Sequence, residues 1–205
     1  MNIAIFTDHY WPGMDEYSNY IQQLQSEFLR LKLGTLTVFC AYDEYNKLQP
    51  NSTIFDELHV IRIPSNLNRR SKVREVKAFN KVVQTFLDAH LQSRKIELIH
   101  IMSEGSMAQY GKVLAKQRNL PLIASSFNDF TLYYPKIINP LMWMYLRWLY
   151  KDTKIILTPD AKHTRLLKDH KIYNVTELEY ICSKDVVDLL NKIYITAIHK
   201  PIRGI

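Results

Sequence analysis

Apolar positions along this chain follow two alternating periods. Short runs rich in β-branched and aliphatic residues read as strands at Ile3–Thr7, Thr35–Cys40, His59–Ile63, Leu98–Met102, Leu122–Ser126, Ile155–Thr158 and Val175–Glu179. Between the first two, Tyr17, Tyr20, Ile21, Leu24, Phe28 and Leu31 recur at helical spacing, and Gly34 reads as the stop after that helix. Val73, Val76, Phe79, Val83, Phe86 and Leu87 repeat the helical pattern. Asp160, after Pro159, reads as the N-cap of a helix through Leu166 and Leu167. Val186, Leu189, Leu190 and Ile193 predict one more helix, followed by an irregular end.

Strands that alternate with amphipathic helices are the habit of βαβ units. The expected fold is therefore α/β: a Rossmann-like, doubly wound, mainly parallel sheet of about seven strands with helices on both faces. The expected domain covers residues 1–182, with 183–205 as a C-terminal helical tail and no second domain. At 205 residues and 47% hydrophobic composition, the chain is long enough to bury a full core.

Charge adds a partner class. Lys and Arg total 27 against 20 for Asp and Glu, a formal charge of +7 that suits an anionic surface or ligand. Arg69, Arg70, Lys72, Arg74, Lys77 and Lys81 gather at the start and outer face of the helix expected over 73–87. Positive charge there opposes the helix dipole, and two readings stay open: a solvated face, or a contact with an anionic membrane. Trp143, Tyr145, Trp148 and Tyr150, beside Arg147 and Lys151, leave a similar choice between a core helix with a wet edge and a helix resting on lipid head groups. Residues Arg69, Arg70, Lys72, Arg74, Trp143, Arg147 and Trp148 form the expected membrane-facing set. Nucleic acid is the weaker partner, since no RNP, helix-turn-helix or zinc signature accompanies the charge.

The composition also excludes some chemistry. Cys40 and Cys182 have no CxxC or Cys/His spacing, which argues against a zinc site or a disulfide framework and for a reducing, cytoplasmic setting. The opening strand leaves no room for a basic leader, so export is not expected. The apolar stretch from Leu141 to Tyr150 is broken by Arg147 and falls short of the roughly 20 residues of a membrane span. With 5 glycines and neither GxGxxG nor GxxxxGK[ST], no phosphate-cradling loop is available.

In open α/β sheets ligands collect beyond the carboxyl ends of the strands. The turn after the first strand carries His9, a general-base candidate or a polar turn residue beside Asp8, followed by Tyr10, Pro12 and Gly13. The turn after the fourth carries Ser103, read as a helix cap, with Glu104 and Gly105. The turn after the fifth carries Asn128 and Asp129, polar groups suited to sugar hydroxyls and equally to loop capping.

These turns sit inside longer segments that resemble one family. IAIFTDHYWPG resembles the first strand and F/Y-x-P loop of the N-terminal domain of retaining GT-B glycosyltransferases, the family 4-like enzymes of lipid and polysaccharide synthesis. GTLTVFC, ELIHIMSEGSMAQYG, PLIASSFNDF and LYKDTKIILTPDAKHTRLL resemble, in order, the family's second strand, its H-x-H-x-P-G turn, its S-x-H-T-D-F turn and its P-S-x-x-T helix start. The resemblance covers roughly residues 1 to 180.

It implies an acceptor-side domain of a nucleotide-sugar-dependent hexosyltransferase, with Tyr10, Pro12, Gly13, Glu104, Gly105, Asn128 and Asp129 lining the cleft. The implied partners are a second glycosyltransferase half or another copy of the chain and a saccharide or lipid-linked acceptor; the basic and aromatic segments add an anionic membrane surface, on the inner membrane face. The nucleotide sugar would be the donor once a second domain completes the site, with no cofactor bound by this chain alone.

The chain departs from the family pattern at several points. Met14 and Asp15 stand where loop glycines usually follow, Phe127 stands where a histidine is usual, and the N-G-V-D and E-x7-E segments of the donor side are absent. An aromatic ring stacks on a sugar but accepts no proton. The competing expectation is a non-catalytic membrane-surface or protein-binding module built on the 69–81 and 141–151 segments.

Overall fold

The computed structural model describes residues 1–8, 10, 16–42, 59–67, 74–76, 80–127, 138–179 and 182–199. In chain order these form β1 (Asn2–Thr7), α1 (Glu16–Arg30), β2 (Thr35–Tyr42), β3 (Val60–Pro64), β4 (Asn66–Leu67), β5 (Arg74–Glu75), α2 (Lys81–Ser93) and β6 (Leu98–Ile101). They continue as α3 (Ser106–Arg118), β7 (Leu122–Ser125), α4 (Asn139–Tyr150), β8 (Ile155–Thr158), α5 (Ala161–Asp169), β9 (Val175–Glu177) and α6 (Lys184–His199). Among the described residues, one sheet of seven strands runs in the order β3-β2-β1-β6-β7-β8-β9. Each neighbouring pair in it is parallel.

All seven strands read from the sequence are present, with ends shifted by one or two residues. They are legible because a parallel sheet covered on both faces needs strands that are apolar throughout. In β1 the side chains alternate between two cores. Ala4 and Phe6 join a cluster with Phe39, Ile99 and Ile101, roofed by Leu87 and Leu91 of α2, Met107 and Leu114 of α3, Leu146 and Leu149 of α4 and Leu167 of α5. Ile3 and Ile5 join Val38, Leu98 and Ile123 on the other side, under Ile21, Leu24 and Phe28 of α1 and Val187, Leu190 and Tyr194 of α6.

Two expectations about helices are corrected. The helix expected over 73–87 starts only at Lys81, because Asn80 caps it by accepting the Val82 N–H at 2.9 Å. Upstream, Arg74 and Glu75 pair antiparallel with Leu67 and Asn66, and the N–H of buried Val76 donates to Ser106 Oγ at 2.8 Å. Of the basic cluster, only Lys81 sits in the helix; Arg69, Arg70, Lys72 and Lys77 lie outside the described residues. Gly34 is likewise no helix cap. Lys32 takes the positive φ of 54° after α1, whereas Gly34, at φ 144°, passes so close to Met1 that a Cβ would lie 2.1 Å from its carbonyl oxygen.

The helix expected after Ser183 is present as α6 over Lys184–His199, and residues 200–205, where the irregular end was expected, lie outside the described residues. Its buried stripe is Val187, Leu190, Tyr194 and Ala197; of the expected set, Leu190 is in that stripe, Val186 and Ile193 pack partly against the same core, and Leu189 is half exposed. Tyr194 anchors it: the phenol is 2.7 Å from His100 Nδ1 on central strand β6, and His100 Nε2 is 2.8 Å from Ser125 Oγ on β7. This helix is therefore part of the second packed layer.

The chain runs outward from β1 to β2 and β3, then returns to the other side of β1 with β6 and proceeds outward again. The order reverses between β1 and β6. In a doubly wound sheet the loops on either side of that reversal part, leaving a crevice beyond the carboxyl ends of the two strands.

Candidate functional site at the strand reversal

Asp8 follows β1 and Ser103 to Gly105 follow β6, so both line the reversal. Ser103 Oγ donates to Asp8 Oδ2 at 2.7 Å, Ser106 Oγ donates to Asp8 Oδ1 at 2.9 Å, and the Met107 N–H donates to the same oxygen at 3.1 Å. The Asp8 N–H in turn donates to Ser103 Oγ at 3.1 Å. Helix α3 begins after Gly105, which offers no side-chain cap. Asp8 supplies the cap from another strand, satisfying an end N–H and complementing the helix dipole. Ser103, read as the cap, orients that carboxylate instead.

Gly105 is required here: a Cβ at this position would lie 2.5 Å from Asp8 Oδ2. The glycine thus admits the Asp8 carboxylate to the backbone.

A second buried array adjoins it. Glu104 Oε1 accepts from Ser126 Oγ at 3.0 Å and from Tyr150 Oη at 3.0 Å, while the Glu104 carbonyl accepts from Tyr145 Oη at 2.7 Å. Ser126 Oγ lies 3.0 Å from His163 Nε2. Because the Ser126 hydroxyl has one proton and gives it to Glu104, the His163 Nε2–H is the donor to Ser126. Carboxylate, hydroxyl and imidazole, from the turns after β6 and β7 and the first turn of α5, thus form one line.

Asp160 holds His163 in place. As the sequence predicts, it caps α5, accepting the His163 N–H at 2.7 Å. All four side chains of the array are buried: Glu104, Ser126, Tyr150 and His163. A low-dielectric setting strengthens such bonds and makes each member costly to lose.

Of the other expected cleft residues, Tyr10 is the one among the described residues. Tyr10 is buried toward α1, where its hydroxyl donates to Gln25 Oε1 at 2.5 Å and the Arg62 guanidinium lies 5.7 Å from its ring centre. Burial pushes its phenol pKa up. Phe127 also faces inward, its ring 4.6 Å from Tyr17 and 6.1 Å from Tyr20, so two tyrosines occupy the face expected to stack on a sugar. Pro12, Gly13, Asn128, Asp129 and His9 lie outside the described residues.

Of the expected membrane-facing set, Trp143 is corrected. It is buried and stacked on His170 at 3.6 Å between ring centres. Arg147 and Trp148 do face outward on α4, with Leu141 and Met144, while Arg74 is placed by its backbone in β5. Among the described residues no helix is long and apolar enough to cross a membrane, and no group of three or more His, Cys, Asp or Glu is gathered as a metal site.

The sequence reading gave no role to Asp8, Ser126 or His163 and placed Tyr150 only in the aromatic stripe of its helix. The signals were faint: an aspartate at a strand's end, serines three apart at a helix start, and a histidine three residues after a capping aspartate.

A seven-stranded parallel sheet reversed at its first strand, with polar groups collected near the reversal, defines a Rossmann-like domain. No protein-family model matches the chain. It is 25% identical over 180 residues to alpha-monoglucosyldiacylglycerol synthase of Streptococcus pneumoniae, which relates it to a glycosyltransferase. That alignment covers 84% of this chain and 38% of the relative, so the chain spans well under half of the relative's length.

Among solved structures, sucrose-phosphate synthase from Thermosynechococcus elongatus superposes with a TM-score of 0.59 at 15% identity, covering 96% of this chain and 97% of the other. UDP-N-acetylglucosamine 2-epimerase from Rickettsia bellii superposes with a TM-score of 0.58 at 12% identity, covering 95% of this chain and 48% of the other. These two likenesses show the fold.

Proposed function

We propose that these residues form the acceptor side of a nucleotide-sugar-dependent hexosyltransferase, with the donor site supplied by a second domain outside them. The observation that carries this reading is the buried Glu104–Ser126–His163 array at the strand reversal of a chain related to a glycosyltransferase. It gives the crevice a rigid polar floor against which an acceptor hydroxyl is held. The similar Streptococcus enzyme is named for a glucosylated diacylglycerol, and the acceptor proposed for this chain is of the diacylglycerol type.

Chemistry follows from what one wall can and cannot do. The acceptor hydroxyl attacks the donor sugar on the face the diphosphate leaves, and the developing charges need donors for the diphosphate and a second wall to exclude water. Without them, the chain alone does not transfer sugar at a useful rate. Two measurements test the reading. Incubation with labelled UDP-glucose and dioctanoylglycerol is expected to give no sustained turnover by the pure chain. Amide spectra are expected to show dioctanoylglycerol shifting Glu104, Gly105 and Ser126. Sustained turnover, or the absence of those shifts, sinks the proposal.

One observation favours a second, compatible role on a membrane surface. Leu141, Met144 and Trp148 are 60%, 58% and 40% exposed along one stripe of α4, flanked by exposed Arg147 and Lys151. Apolar residues bordered by cations suit the boundary of an anionic bilayer. Replacing all three by serine is expected to abolish co-sedimentation with phosphatidylglycerol vesicles, while Asn128→Ala with Asp129→Ala leaves it unchanged. Equal sedimentation of the wild type with neutral phosphatidylcholine vesicles overturns the role of charge.

A further inference from the structure

The sheet sorts the helices into two layers, and charge is sorted with them. Helices α2 to α5 roof one core, while α1 and α6 cover the other. The first layer carries eight lysines and arginines against two acids; the second carries three against four. An amphipathic helix needs only a polar outer face, of either sign, so packing does not require this division. Within the first layer Asp88 is tied to Arg118, and beside it Asp152 is held by Lys112 at 2.7 Å and Asp160 accepts the His163 N–H as the cap of α5. Asp169 is the remaining acid of these helices.

The excess is concentrated on α5. Lys162, Arg165 and Lys168 recur three residues apart and are exposed, and exposed Lys171 follows the helix. Among the described residues none of the four forms a salt bridge. Helix α4 packs beside α5 through the stack of Trp143 on His170, and its outward residues are the half-exposed to exposed Leu141, Met144 and Trp148. An apolar stripe and a row of cations therefore lie side by side on one surface.

We infer that the α4–α5 surface is the face on which the chain lies against an anionic lipid bilayer, with the cations of α5 as its electrostatic half. The inference rests on the membrane-surface role proposed above for α4, and gives it a second site and an orientation. The apolar stripe selects the bilayer over nucleic acid: phosphates alone offer nothing to Leu141 and Met144, whereas a head-group boundary takes the apolar side chains and meets the cations together. The opposite layer has no excess of positive charge, and across the sheet it lies beyond the screening length of about 10 Å in 0.1 M salt. With this layer flat on the lipid, the crevice beyond the carboxyl ends of the strands opens along the membrane surface, within reach of a diacylglycerol-type acceptor in the same leaflet.

The test uses the full chain and vesicles of equal parts dioleoylphosphatidylglycerol and dioleoylphosphatidylcholine. Lys162→Glu with Lys168→Glu, on α5, is compared with Lys184→Glu with Lys192→Glu, on α6. Both pairs change the net charge equally, and all four side chains are exposed, so the fold is retained in each. The α5 variant is expected to bind at least about 25-fold more weakly than wild type, from about five-fold per cation at the surface, and the α6 variant to stay within about two-fold. In bicelles of the same lipids, a gadolinium-chelating lipid is expected to broaden the amides of Met144, Arg165 and Lys168 and to spare those of Leu189 and Lys192.

Equal weakening by the two variants, or broadening on α6, overturns the inference. So does an α5 variant that binds as wild type does; if the serine variant of α4 has then lost binding, the role of α4 stands without this site. Tighter binding of a single-stranded oligonucleotide than of the vesicles, lost in the α5 variant, makes nucleic acid the partner and also overturns it. A wild-type chain that fails to sediment with these vesicles removes both the α4 role and this inference, and leaves the acceptor-side reading to its own test with dissolved dioctanoylglycerol.

Discussion

Tyr194→Ala is expected to lower the unfolding free energy by about 3–5 kcal/mol, the range for truncating a large buried aromatic. Tyr194 is fully buried in α6, its ring packs edge-on against Phe28 at 5.9 Å, and its hydroxyl meets His100 Nδ1 at 2.7 Å. Truncation leaves a cavity between two helices and the sheet, and strands a buried imidazole nitrogen. Tyr194→Phe separates the two effects: it keeps the ring and removes the hydroxyl, at an expected cost of about 1–3 kcal/mol for the unsatisfied partner. Urea unfolding at neutral pH measures both. An alanine cost below about 1 kcal/mol would mean that the surroundings collapse to fill the site or that α6 is dispensable to the fold.

Acid is expected to destabilise the protein through His100. Burial in the central strand holds its pKa down at about 3, against 6.5 ordinarily, because the imidazolium would be desolvated. Between those values the unfolded chain binds a proton that the folded chain refuses. The stabilisation is therefore complete above pH 6.5 and is lost as pH falls from there toward 3. The slope approaches about 1.4 kcal/mol per pH unit within that window, so lowering pH from 6.5 to 5 removes roughly 1.5 kcal/mol through this residue.

His90 is shifted downward too, by burial first and the nearby Arg94 second, and adds to the loss in the same direction. The His100 share is isolated by comparing wild type with His100→Gln in urea titrations at pH 7, 6 and 5. The variant is less stable at pH 7 but loses stability less steeply. Parallel slopes for the two proteins would show that His100 is not held neutral.

The failures of sequence reading share a cause. Val73, Val76, Phe79 and Val83 do fit a helical period, yet Val76 is pinned by Ser106 from 30 residues away and Asn80 sets the true helix start. Tyr10 and Phe127 sit in turns that open on the crevice, but both are large apolar rings, and burial against α1 gains more than exposure at a rim. Asp160 was legible as a cap because capping is settled within one turn of chain. The histidine it positions was not, since the role of His163 depends on Ser126, 37 residues away.

By itself, the sequence determined the α/β class, the seven parallel strands and the helices between most of them. That information is carried by local period: apolar strands between amphipathic helices fit only a sheet covered on both faces. Tertiary structure alone decided which polar groups meet. Asp8 caps a helix 99 residues on, and Glu104 gathers Ser126, Tyr150 and, through Ser126, His163, because parallel register brings the carboxyl ends of distant strands to one edge. No spacing along a single strand or helix encodes such a meeting, since each partner is placed by a different crossover and they converge only when the sheet closes.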